Sequence, residues 1–258
     1  MSLLKSFCMA FSMYSKIPMP RTEWKEENMR YVLCFFPWIG LVIGAAMYAL
    51  WLVRARIGVF IPFEVFALVG TVLPVILTGG IHLDGFLDTM DALHSYQSRE
   101  KKLEILKDPH IGAFASISLA CEMFLYAAAL FFLLEEKQML MLGIGFFLSR
   151  TLSAFALVTV KSAKKDGLLY TFAGAAHKRT VLAVLSVWLF FAVAAAYLLY
   201  GLLGAICIML SLIVFFYYEW MACRQFGGLT GDLAGWFVTV YELVFVWMVG
   251  IMGYVWNW

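Results

Sequence analysis

The sequence predicts an all-α protein, a polytopic integral membrane bundle of about seven transmembrane helices with its N-terminus in the cytoplasm. Three observations predict it. Hydrophobic residues make up 64% of the 258, against about 45–50% in a soluble domain. Mean hydropathy is +0.87. Seven apolar runs reach or approach the roughly 17–25 residues that cross a bilayer as helix. Neither a fixed-period repeat nor a low-complexity tract interrupts them, so residues 1–258 read as one membrane-embedded domain.

Residues 1–30 read as an amphipathic or re-entrant segment ending at Pro18-Met-Pro20. The stretch Leu3–Met13 is broken by Lys5 and followed by Lys16 and two prolines, without a small-residue cleavage site, which argues against a cleavable signal peptide. The expected spans are Tyr31–Val53, Ile57–Thr78, Ile111–Leu134, Gln138–Val160, Thr180–Tyr200, Leu202–Tyr218 and Leu233–Trp256. Only Gly201 and Gly204 separate the fifth from the sixth. Between spans two and three, Ser98–Lys107 reads as a short surface helix, capped by Ser98 and ended by Asp108-Pro109. Cys8, Cys34, Cys121, Cys207 and Cys223 form no C-x-x-C pair and read as buried, reduced core residues.

Charge placement orients the spans. Lys5, Lys16, Arg21, Lys25 and Arg30 precede span one. Arg99, Lys101, Lys102 and Lys107 follow span two. Lys161, Lys164, Lys165, Lys178 and Arg179 follow span four, and Arg224 follows span six. The alternate loops hold only Arg54, Arg56 and Lys137. The positive-inside rule puts the richer side in the cytoplasm.

On that face lies the segment 79–110, which gathers His82, Asp84, Asp88 and Asp91 within ten residues. The aspartates stand at i, i+4 and i+7, one face of a helix. Carboxylates so close repel unless a cation joins them, and oxygen-only ligands suit Mg²⁺ with substrate phosphates. A solvated acidic face, or helix caps at a membrane boundary, is the plainer alternative. His82 lies two residues ahead of Asp84 and would point elsewhere on one helix. After the break at Gly79-Gly80 it reads as a general base, a phosphate contact or an interfacial histidine. Lys107 offers a point charge to phosphate, and Asp108 a metal ligand or a partner for that lysine, although by spacing alone the pair is only a helix stop.

Gly227-Gly228-Leu229-Thr230-Gly231-Asp232 opens the last span as a flexible turn, where free amides and the positive helix end favour an anion. Asp232 reads either as the helix cap or as a ligand for a metal or a ribose hydroxyl. Glu122, Arg150 and Glu242 each fall about 10–12 residues, roughly 15–18 Å, into spans three, four and seven. Charge at that depth demands a partner. An Arg–Glu pair and a polar cavity open to the cytoplasm are the two readings.

At these residues the chain closely resembles the cobalamin synthase family, the adenosylcobinamide-GDP ribazoletransferases. The resemblance runs through Lys16-Ile-Pro-Met-Pro20, Phe36–Gly44, Thr78–Asp91, Glu104–Phe114 and Gly227–Asp232. It departs at Ala92, where the family often has glycine, and at Thr239, where it often has an acid; Glu242 remains. The resemblance implies a Mg²⁺-dependent membrane phosphotransferase of the bacterial or archaeal cell membrane, its active site facing the cytoplasm. Its substrates would be adenosylcobinamide-GDP and α-ribazole or its 5′-phosphate, with no nucleic acid involved and an oligomer compatible with the chain.

Carried onto this sequence, His82, Asp84 and Asp88 would be catalytic, and Asp84, Asp88 and Asp91 would hold the metal. Lys107, Asp108, Arg150, Gly228, Thr230, Gly231, Asp232 and Glu242 would bind substrate. Rival readings fit less well. CDP-alcohol phosphotransferases carry D-G-x-x-A-R, but Asp84-Gly85 is followed by Phe86-Leu87-Asp88-Thr89. Prenyltransferases need a second aspartate-rich loop, and here that loop has only Asp232. A transporter using Glu122, Arg150 and Glu242 would need access from both faces.

Overall fold

In the computed structural model, which describes residues 2–57, 61–133, 135–164 and 167–256, the long apolar runs are helices whose ends sort onto two faces. In chain order the helices are α1 (Ser2–Tyr14), α2 (Glu26–Met29), α3 (Val32–Ile57), α4 (Phe63–Thr78), α5 (Ile81–His94), α6 (Arg99–Ile105), α7 (Ala113–Leu130) and α8 (Glu136–Thr159). They continue with α9 (Leu168–Ala175), α10 (Lys178–Tyr200), α11 (Leu202–Met221) and α12 (Gly231–Trp256). A π-helical turn, Ala222–Phe226, follows α11. Among the described residues the sole β pairing is an isolated bridge between Ser162 and Leu229.

Six helices, α3, α7, α8, α10, α11 and α12, are long and apolar enough to cross a membrane, and α4 with α5 adds a seventh if the bent pair counts as one. The expected second span, Ile57–Thr78, is corrected in its bounds: Ile57 ends α3, and the helix that follows is α4, Phe63–Thr78. Residues 58–60 lie outside the described residues, and α4 has 16 residues, about 24 Å at helical rise against a core of about 30 Å. It ends at Gly79 and Gly80, with φ of 69° and 78°. That left-handed conformation suits glycine, and α5 leaves at 97° to α4. We therefore read α5 as lying outside the spanning set, along one face of the bundle.

The centre is α8, packed against α3, α10 and α12. Small residues let α3 and α8 touch backbone to backbone: a Cβ on Gly44 would lie 2.6 Å from the Gly143 Cα. Close approach of this kind supports helix association in lipid. Gly201, at φ 57°, turns α10 directly into α11, so the expected division of spans five and six stands. The N-terminal segment forms α1, which buries Met9, Ala10 and Phe11 while exposing Leu3 and Leu4. The Ser98 side chain caps α6 as expected. All five cysteines are free, but Cys121 and Cys223 are exposed, which corrects the expectation that all five are buried.

The loops on the lysine-rich side bond to one another. Lys16 N donates to Leu77 O at 2.8 Å, His177 N to Arg30 O at 3.2 Å, and Ala163 N to Leu229 O at 2.8 Å. On the far side, Tyr48 Oη donates to Glu136 Oε1 at 2.5 Å and Arg54 lies 4.4 Å over the Phe63 ring. The two faces inferred from alternation of loops are thus two real faces.

Candidate active site

The site forms where α5 crosses the start of α12. Gly85 makes the crossing possible: a Cβ there would stand 2.7 Å from the Asp232 carbonyl oxygen. One turn along α12, a Cβ on Gly235 would stand 2.8 Å from the His82 carbonyl oxygen. Two glycines, one from each helix, therefore let the backbones meet and bring Asp232 beside the acidic face of α5.

Asp84 is exposed and Asp88 half-buried on that face. Burial, and then the charges of Asp84, Asp232 and Asp91, push the Asp88 carboxyl up to about 6. Lys164, from the segment after α8, acts against that shift as the neighbouring cation. Asp84, Asp88, Asp232 and Lys164 thus share one electrostatic neighbourhood beside a cavity of about 340 Å³, which Asp84, Asp232 and Lys164 line with Ser162 and Thr230. Tyr14, Phe36, Leu157 and Phe172 add an aromatic and apolar lining.

Asp91 stands apart. Its carboxylate accepts the Gly112 amide at 2.6 Å and the Ala115 amide at 2.9 Å. It therefore caps the start of α7, where helices leave amides unpaired. The expected triad of metal ligands is not assembled: among the described residues no group of three His, Cys, Asp or Glu side chains is poised to hold one ion. What the site does offer is an oxygen-only set, Asp84, Asp88 and Asp232, whose mutual repulsion a hard cation would relieve. That donor chemistry fits Mg²⁺, which binds through one or two carboxylates and keeps several waters.

The glycine turn is tied down rather than flexible. Gly228 N donates to Ala222 O at 3.1 Å, and Leu229 N to Lys161 O at 2.9 Å. The Thr230 hydroxyl accepts the Leu233 amide at 3.2 Å. Thr230, not Asp232, thus caps α12, which leaves Asp232 to the site. Thr230 and Gly231 line the cavity, whereas Gly228 packs on the backbone of residues 161–163.

Lys107 and Asp108 fall elsewhere. Both are exposed before α7, neither lines the cavity, and Asp108 bonds the His110 ring at 2.7 Å. Local chain geometry turns them outward, because α6 ends at Ile105 and Pro109 prevents its continuation.

Arg150 and Glu242 form a buried ion pair. Glu242 also accepts from Ser149 Oγ at 2.8 Å, and Arg150 donates to Phe146 O at 3.0 Å. With Glu122 and Thr239 they line a separate cavity of about 50 Å³. The three intramembrane charges meet as their depths suggested, but not in the larger cavity. His82 touches both spaces. Its ring lies 5.7 Å from Phe36 and 6.3 Å from Tyr14, turned inward from the acidic face. Burial and then Arg150 hold its pKa well below the usual histidine range, so the imidazole is neutral near pH 7.

Several lining residues lacked any sequence signal. Lys164 is one of three near-adjacent lysines, and nothing distinguished it. Ser153 and Leu157 look like ordinary span residues.

Comparison with known proteins adds to this geometry. The profile of a family described as cobalamin-5-phosphate synthase matches residues 6–250. The chain belongs to that family. A protein of Lachnoclostridium phytofermentans named adenosylcobinamide-GDP ribazoletransferase is 43% identical over 246 residues, covering 95% of this chain and 92% of its own. Proteins of the same name from Clostridium perfringens (strain SM101) and Clostridium botulinum (strain Alaska E43) are 30% and 31% identical. They cover 96% and 94% of this chain, and 98% and 96% of their own. No solved structure matches the chain.

Proposed function

We propose that this chain joins adenosylcobinamide-GDP to α-ribazole, or to its 5′-phosphate, releasing GMP and forming adenosylcobalamin or its 5′-phosphate. The observation that carries the reading is the gathering of Asp84, Asp88, Asp232 and Lys164 in one electrostatic neighbourhood, where Asp84, Asp232 and Lys164 line one cavity. The ribazole 3′-oxygen attacks the phosphorus that bears the cobinamide arm. A new P–O bond forms, the P–O bond to the GMP phosphate breaks, and GMP leaves with the electron pair. The hydroxyl proton passes to a carboxylate of the site or to water.

Phosphoryl transfer depends on in-line positioning and on neutralising spread negative charge. Carboxylates of the Asp84, Asp88 and Asp232 set, completed by waters and substrate phosphates, would hold Mg²⁺, which supplies Lewis-acid stabilisation of the pyrophosphate. Lys164 adds a fixed positive charge for phosphate, and Thr230 orients the start of α12. The lysine-rich loops support a reading in which this face lies in the cytoplasm of a bacterial or archaeal cell.

The test is GMP release from adenosylcobinamide-GDP and α-ribazole, with and without Mg²⁺. The unaltered protein releases GMP only with both substrates and the metal. Asp84→Asn and Asp88→Asn each lower kcat by about 10²-fold or more, the scale on which a lost electrostatic contact acts. Full activity in both variants sinks the carboxylate assignment, and no GMP from the unaltered protein sinks the reaction.

A further inference from the structure

The buried lining of the larger cavity is chemically unlike its more exposed rim. Asp84, Asp232 and Lys164 stand at the rim, whereas Phe36, Leu157 and Phe172, all buried, form the interior. Tyr14 and Phe36 present adjacent rings, their centroids 4.4 Å apart. Aromatic side chains prefer flat partners in stacked or edge-to-face contact.

A second, independent observation points to a ligand. Ser153 is fully buried in α8, lines this cavity, and its hydroxyl has no hydrogen-bond partner. Other hydroxyls of the same helix return to its backbone: Ser149 to Phe146 O, Thr151 to Phe147 O and Thr159 to Phe155 O. A buried unpaired hydroxyl carries a desolvation cost.

We propose that this interior is the subsite for the aromatic base of the nucleoside acceptor. The benzimidazole ring lies against Phe36, Leu157 and Phe172, and Ser153 donates its hydroxyl hydrogen to the unsubstituted ring nitrogen. The proposal rests on the reading above, because that reading supplies the acceptor.

The cavity volume supports the choice of occupant. At about 340 Å³ it lies near the lower end of small-molecule pockets, roughly 300–1,000 Å³. That accommodates a nucleoside base and not a corrin ring with its amide arms, which must remain outside the cavity. Guanine, the other base in the reaction, carries donors and acceptors on most of its edge. Against Phe36, Leu157 and Phe172 those groups would lose hydrogen bonds to water without replacement. Dimethylbenzimidazole has an apolar methylated edge and one free ring nitrogen, which matches a lining whose spare buried polar atoms are the Ser153 hydroxyl and His82 Nε2. Seated this way, the base directs its ribose toward the rim, where the carboxylates and Lys164 await the phosphates.

The experiment uses full-length protein in nanodiscs, folding checked by thermal unfolding, with KM measured for each substrate. Leu157→Trp fills the subsite and is expected to raise KM for α-ribazole more than tenfold, with KM for adenosylcobinamide-GDP unchanged. Ser153→Ala is expected to raise the ribazole KM by about 3–10-fold, the worth of one hydrogen bond. An indole riboside, carbon in place of that nitrogen, should show the same penalty in the unaltered protein and none further in Ser153→Ala.

An unchanged ribazole KM in folded Leu157→Trp overturns the subsite. So does a rise confined to the corrinoid substrate, which would place guanine there instead. An indole penalty equally large in Ser153→Ala removes the serine contact. Failure of the unaltered protein to release GMP at all is a different result, and it strikes the reaction rather than the subsite.

Discussion

Gly85 and Asp232 touch through their backbones, so closely that a single methyl on Gly85 would press within 2.7 Å of the Asp232 carbonyl oxygen. They are far apart in sequence, yet their contact sets the distance between the two acidic elements of the site. Gly85→Ala should force α5 and α12 apart. Overpacking of this kind costs about 1–3 kcal/mol, so a lower unfolding temperature is expected. GMP release should fall by more than the stability loss explains. A variant with unaltered kcat would show that the spacing of the two helices is not critical.

Asp91 resembles its neighbours in sequence but does different work. Both of its oxygens accept amides at the start of α7. Asp91→Ala should cost about 0.5–2 kcal/mol of stability, the usual worth of a helix cap. Mg²⁺ affinity, measured by calorimetry on the folded variant, should change much less than in Asp88→Asn. An equal loss of affinity in both would return Asp91 to the ligand set.

Protonation of Asp88 gives a pH signature. Burial first, and then Asp84, Asp232 and Asp91, raise its carboxyl from 3.8 to about 6. Between those values the folded chain holds a proton that the unfolded chain has released. The group therefore favours the folded state at the acidic end of this window, and that contribution is lost as pH rises through 6. A cation must displace the same proton. Mg²⁺ affinity should rise as pH climbs through about 6 and then level, with proton release detectable by calorimetry in buffers of different ionisation heat. Asp88→Asn should abolish the step, and a flat profile between pH 5 and 7 would exclude Asp88 as a ligand.

Arg150 and Glu242 anchor α8 to α12 inside the bundle. Arg150→Met leaves the carboxylate uncompensated, a change that costs about 3–5 kcal/mol in buried pairs. Arg150→Met combined with Glu242→Gln should recover much of that loss. Thermal unfolding of the single and double variants in one detergent measures the coupling. Simple additivity would mean that the pair contributes little.

Much of this architecture is legible in the chain. The long apolar runs announce helices because a bilayer demands them, and loop lysines sort their ends. The pair Gly79-Gly80 marks a break, but a dipeptide does not state the angle of 97° that follows. Three aspartates at helical spacing announce a shared face, which holds. That spacing carries no record of what approaches each of them, so the docking of α7 on Asp91 is invisible. Lys107 looked suited to phosphate by its charge, yet Lys164 occupies the position beside the carboxylates. Which of many lysines does so is decided by the bridge between Ser162 and Leu229, a contact between distant loops. Ser153 is hardest to foresee, because a serine within a span ordinarily bonds its own helix.

The partnership of α5 with α12 also constrains how the protein is made. α5 packs on α12 more extensively than on any other element, and α12 follows every other described helix in the chain. During synthesis the acidic face of α5 is in place long before Asp232 emerges from the ribosome. Until α12 inserts, the site lacks one of its carboxylates, and Gly85 has nothing to rest against. A chain that stops before α12 therefore lacks Asp232 and the wall that α12 gives the cavity, and the lining is completed only in one late step of membrane insertion.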